Sequence, residues 1–93
     1  SQKNEGEFVI MRLHKKSFPP GRATVIISKA VAKRTVPRTI LRRRIAEWLR
    51  TKARVGSYAV DCTVSVKPAA ANAARRALYR DLAKTARGLG ISS

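Results

Sequence analysis

The stretch SKAVAKRTVPRTILRRRIAEWLR, residues 28–50, joins the end of an apolar strand to an amphipathic helix and gathers charge at the join. Thr35 can cap that helix, and Pro37 is tolerated in a first turn, where its missing N–H is no loss. Leu41, Ile45, Trp48 and Leu49 fall on one stripe and are expected in the core. Arg42, Arg43, Ala46 and Arg50 take the outer side. Arg38, Arg42, Arg43 and Arg44 crowd the first two turns, where a helix already carries unpaired N–H groups and a partial positive charge. Cations there oppose the helix's own dipole, whereas phosphate is well received. The arrangement implies a grip on a polyanion.

Upstream, residues 7–15 alternate, with Phe8, Ile10 and Arg12 to one side and Val9, Met11 and Leu13 to the other. Ser17, Phe18, Pro19, Pro20 and Gly21 break the pattern. Residues 22–29 read as a β-branched strand, and the two runs are expected to pair as an antiparallel hairpin. Downstream, residues 58–66 read as a strand with Cys62, Val64 and Val66 on one face and Asp61, Thr63 and Ser65 on the other. Lys67 and Pro68 stop it. Asn72 is a candidate cap for a last helix, and the alanine-rich residues 69–77 read as helical. Leu78, Leu82, Ala86 and Leu89 form its stripe, with Arg75, Arg76, Arg80, Lys84 and Arg87 mostly off it; Gly88 or Gly90 can end it.

Residues 1–6 read as a flexible N-terminus and residues 7–90 as one nucleic-acid-binding α+β domain, a two-layer sandwich of order β-β-α-β-α with both helices on one sheet face. The other face, carrying Thr63 and Ser65 and few large apolar groups, makes a trough for a single strand of nucleic acid. Twenty-one Lys and Arg against five acids give +16 on 93 residues. Residues 29–54 alone hold ten basic residues and one acid, Glu47, a concentration that solvation does not require. The chain is 44% hydrophobic, which suits a folded domain and not a basic tail. No apolar run approaches the ~20 residues of a membrane span, and no signal-peptide pattern is present. The single cysteine, Cys62, excludes an internal disulfide and a cysteine-based zinc site, and fits a reducing, cytoplasmic setting.

Catalytic machinery is thin. His14 has no acid at a spacing that would orient it, and Cys62 alternates with core valines. Glu5, Glu7, Glu47, Asp61 and Asp81 form no recognisable acid/base or two-metal pair. Catalysis by this polypeptide alone is not expected.

Read in order, these pieces resemble the protein subunit of bacterial ribonuclease P over about residues 7–88. The specific part is Ser28-Lys29, Val31-Ala32-Lys33-Arg34 and Arg38-Thr39-Ile40-Leu41-Arg42-Arg43, where the family carries Ser-Lys, Val-Ala-Lys-Arg and Arg-Asn-Arg-Ile-Lys-Arg. Residues 61–68 are similar to the family's last strand and residues 74–82 to its basic closing helix. Thr39 and Ile40 stand where the family has Asn and its second Arg, and Arg44 restores part of that charge one turn on. The family's basic, Phe-bearing first helix has no counterpart in this sequence. That gives the expectation of a trough short of one wall, with weak discrimination between tRNA with and without a leader.

The resemblance implies an RNA-led endoribonuclease, a ribonucleoprotein that removes the 5′ leader from precursor tRNA. Its magnesium ions would be held mainly by the partner RNA, with none bound by the protein alone. The implied partners are the ribonuclease P RNA subunit and precursor tRNA, with no membrane and no protein partner. Lys33, Arg34, Arg38, Arg42, Arg43 and Arg44 are the expected contacts with the RNA subunit, and Arg75 and Arg76 are expected to matter less. Ser28, Lys29, Thr63 and Ser65 are expected to line the leader-binding cleft. The implied fold is ribosomal protein S5 domain 2-like, with a left-handed β-α-β crossover against the general right-handed rule. A ribosomal-type structural RNA-binding protein without a processing role shares the charge and element order. A duplex-DNA reader would want Asn and Gln on the arginine helix, and they are missing. A membrane-active cationic peptide is disfavoured because the strands can cover both apolar stripes.

Overall fold

A late strand holds the middle of the sheet. The computed structural model describes residues 2–27 and 38–91. Its strands are β1 (Gln2–Glu5), β2 (Val9–Lys15), β3 (Ala23–Ile27) and β4 (Val60–Val66), arranged in the order β1-β2-β4-β3. β2 pairs antiparallel with both β1 and β4, while β3 runs parallel to β4. Helix α1 (Arg38–Thr51) lies between β3 and β4 in the chain, so these form a β-α-β unit, and α2 (Arg75–Gly88) follows. Short 3-10 turns at Val55–Ser57 and Pro68–Asn72 flank β4.

The expected hairpin between the first two apolar runs is not formed, because β4 stands between them. Alternation tells each strand which face to bury but not which neighbour to take. The intervening segment makes that choice. The Lys16 N–H donates to the Ala59 carbonyl at 2.8 Å, and the Arg22 N–H donates to the Asp61 carboxylate at 3.0 Å. Between them, Gly21 lies so close to the carbonyl oxygens of Val60, Val55 and Tyr58 that a β-carbon would collide with backbone. The chain is thereby led across the start of β4 instead of back along β2.

Two further differences have local causes. No element was expected before residue 7, yet Gln2–Glu5 form an edge strand on β2. Its signal is polar, not apolar: the Asn4 side chain donates to the Thr85 carbonyl at 3.0 Å, and Glu5 pairs with Lys67. The alanine-rich run is not one helix either. Pro68–Asn72 make a 3-10 turn that tucks Ala70 into the core, and α2 starts at Arg75 after an Ala74 N-cap with no side-chain bond. Asn72 therefore does not occupy the cap. At the other end the Gly90 and Ile91 N–H groups return to the Arg87 and Ala86 carbonyls, both at 3.1 Å. This is a Schellman closure with Gly90 at φ 85 and Ile91 buried beside it.

One core joins the two layers. Val9, Met11, Leu13, Val25, Ile27, Cys62, Val64 and Val66 from the strands meet Leu41, Ile45 and Leu49 of α1 and Leu78, Leu82 and Ala86 of α2. Each large side chain so buried stabilises the fold by about 1.5–3 kcal/mol, against the self-repulsion of the net charge. α1 lies over β3 and α2 over β2 and β1, so both helices cover the same sheet face. Among the described residues, no helix covers the other face.

Candidate nucleic-acid interface

Register assembles the open face. Lys3, Arg12, Thr63 and Thr24 form one row across all four strands, and Glu5, Ile10, Ser65 and Ile26 form the next. Thr63 and Ser65 are half-buried at its centre, with exposed Arg12 beside Thr63. The face is less polar than expected, because Ile10 and Ile26 flank Ser65 and Ile26 is 52% exposed. Apolar side chains lying open beside cations suit the flat faces of unpaired bases. His14 and Asp61 stand opposite each other at one end of this face. The Asp61 carboxyl is held below the usual range, first by the Arg22 backbone N–H and then by Lys16 at 3.3 Å. Of the expected cleft residues, Ser28 and Lys29 lie outside the described residues.

The second candidate surface is α1, on the other layer. Lys33 and Arg34, together with the cap at Thr35 and Pro37, lie outside the described residues; Arg38 opens the helix. Arg42 and Arg43 are exposed, and Arg44 is half-buried. They do not form one patch. Helical spacing puts Arg42 on the side of Ala46, Arg44 turns toward α2, and Arg43 borders both the hollow at Gly21 and Ala23 and the groove toward α2. The first turn holds no acid, so nothing on the helix offsets these charges there.

Comparison with known proteins matches the family model for ribonuclease P to residues 1–90 of the 93. The chain belongs to the ribonuclease P family. No curated protein and no solved structure matches it. Among the described residues of this ribonuclease P protein, no three His, Cys, Asp or Glu side chains come together as a metal site. No helix among them is long and apolar enough to cross a membrane.

The departures from the ribonuclease P arginine motif are both on the surface. Thr39 is exposed and Ile40 is 39% exposed, so neither was exchanged to fill the core. Arg44 follows Ile40 by four residues and stands above it on the same side of α1. Trp48, expected in the core, is only half-buried. Leu41, Ile45 and Leu49, at steps of four, take the buried positions, and Trp48 falls at the stripe's margin facing α2. There it meets Tyr79 and Arg75, whose guanidinium sits 5.5 Å from the Tyr79 ring centroid. Sequence reasoning missed this meeting because it joins two helices. Phe8 and Tyr58, weighed as stacking groups, both pack partly against the core, while Phe18 is 75% exposed in the turn after β2.

Proposed function

We propose that this protein is the RNA-binding subunit of ribonuclease P, and that it assists a catalytic RNA in removing the 5′ leader from precursor tRNA. The observation that carries the reading is that the exposed arginines of α1 and the open sheet face lie on opposite layers. The α1 arginines face away from the sheet, and the open face presents Arg12, Thr63 and Ser65 between two isoleucines. One surface can dock on the RNA subunit while the other holds the leader, with phosphates on cations and bases over the strands, without strict sequence reading. The ribosomal protein S5 domain 2-like shape and the left-handed crossover belong to the same reading. The chemistry, including the magnesium ions, lies with the partner RNA; the side chains bind, orient and neutralise charge.

The test is reconstitution. The polypeptide alone with precursor tRNA and magnesium should leave the leader intact. Added to a ribonuclease P RNA, it should lower the magnesium needed for accurate cleavage and favour precursor over mature tRNA. Replacing Thr63 and Ile26 with Glu should erode that preference by about tenfold if one base contact is lost, since such contacts are worth roughly 1–3 kcal/mol. Accurate cleavage by the polypeptide freed of RNA, or no effect on the RNA's reaction, would overturn the proposal.

A further inference from the structure

The helix layer carries a groove that the α1 arginine surface borders through Arg43 and Arg44 and that extends beyond it to α2. It lies between α1 and α2, spans about 600 Å³, and is lined by Arg43, Arg44, Trp48 and Lys52 on one side and Arg75 and Tyr79 on the other. That volume is in the range of small-ligand sites, about 300–1,000 Å³. Trp48 and Tyr79 are each half-buried, so part of both rings fronts the groove and not the core. Glu47 is the acid on its lining, and both its oxygens are taken by Arg50 at 2.7 Å. Four cations thus converge around two aromatic rings with their one carboxylate already engaged.

Like charges so gathered repel one another, and an anion relieves the repulsion. The rings offer a stacking surface, and Arg75 over Tyr79 adds a cationic plane beside it. A nucleotide is the ligand that carries a flat π-face and an anion within one unit. α2 also begins at Arg75 with no side-chain cap, which leaves backbone N–H groups at that end of the groove. We propose that the groove takes an unpaired nucleotide of the partner RNA, its base on Trp48 and Tyr79 and its phosphate among Arg44, Lys52 and Arg75. The inference rests on the reading of this protein as an RNA-bound subunit, and it gives the helix layer a contact of its own. Arg75, expected to matter little, becomes a principal contact.

Trp48 is the chain's single tryptophan, so its emission reports on this groove directly. Titrating the full chain with a five-residue oligoadenylate should quench that emission saturably. An abasic phosphodiester of equal length and charge should bind with little quenching. Tyr79→Ala should weaken the oligoadenylate about tenfold, in line with one stacking contact. Arg75→Glu should weaken it more than the charge-matched Arg76→Glu; both residues are exposed, so neither change disturbs the core. Equal quenching by the abasic chain, an unchanged affinity in Tyr79→Ala, or tighter binding of an acidic aromatic peptide would each overturn the proposal. If the groove fails while the protein still binds ribonuclease P RNA and aids leader removal, the subunit reading stands. Groove binding without affinity for that RNA overturns the subunit reading instead.

Discussion

The backbone N–H of Phe8 donates to the carboxylate of Asp81 at 2.8 Å, across 73 residues of chain. The other oxygen of Asp81 accepts the Glu7 N–H at 2.9 Å, so one buried side chain of α2 satisfies both donors at the turn between β1 and β2. Gly6 presses against the same carboxylate and against Thr85, where a β-carbon would not fit. Asp81→Ala should therefore cost roughly 2 kcal/mol, because two partly buried donors lose their acceptor at once. Asp81→Asn keeps one acceptor and should cost about half as much on the same grounds. Urea unfolding of the three proteins decides; equal midpoints would show that the clamp is idle.

The arginines of α1 should affect stability and binding with opposite sign. Arg42→Ala and Arg43→Ala remove exposed charge from a helix whose first turn has no acid. The melting temperature should hold or rise, since self-repulsion falls. RNA affinity should drop, and its salt dependence should flatten by about 0.7–0.9 in log–log slope for each phosphate contact removed. Loss of stability together with an unchanged salt slope would contradict this. Ile40→Arg tests the converse at an exposed position and should tighten RNA binding while steepening the slope.

Cys62 should behave as a gauge of unfolding. Burial in the core pushes its thiol up to about 12. At pH 8 that leaves roughly a thousandfold less thiolate than the ordinary value of 9.0 would give, and thiolate is the reactive form. The folded protein should resist a disulfide reagent, with a labelling rate that rises with urea in step with the unfolded fraction. The sign is that of a raised acid: this contribution to stability holds below the unfolded thiol's pKa and is lost as pH climbs through the folded value. Rapid labelling of the native chain would place Cys62 outside the core.

Asp61 should contribute in the opposite sense. Its carboxyl is lowered by the Arg22 N–H first and by Lys16 next, and Glu5 is lowered by Lys67. Groups depressed in the fold stabilise it above their unfolded pKa, and that contribution disappears as pH falls through the lower, folded value. Acid titration of stability should show a decline starting near the ordinary carboxylate range, and Asp61→Asn should make it shallower. An identical acid profile in Asp61→Asn would remove these contacts from the account.

How far the chain could be read follows from where each signal resides. Strands β2, β3 and β4 announce their buried faces by alternation, and the stripes of α1 and α2 by their steps, so the layers and the open face with Thr63 and Ser65 were legible. Pairing was not. The contacts that insert β4 between β2 and β3 are a glycine against three carbonyls and an aspartate on a distant N–H, and neither leaves a periodic trace. β1 escaped because its partners are Thr85 and Lys67, far along the chain. The arginines of α1 were visible as a cluster, but their division between two flanks of the helix needed the neighbours on each side.

The central position of β4 sets an order of events during synthesis. Until Val66 has been made, β2 and β3 share no partner, and β1 with β2 makes a two-stranded ribbon, which is marginal alone in water. The arginine-bearing segment is therefore translated before any sheet exists to anchor it. Residues 2–59 without β4 keep most of the domain's basic side chains but lack the central strand that joins β2 to β3. The sheet closes only once β4 threads its middle, so its folding waits on a strand made after the arginine-bearing segment.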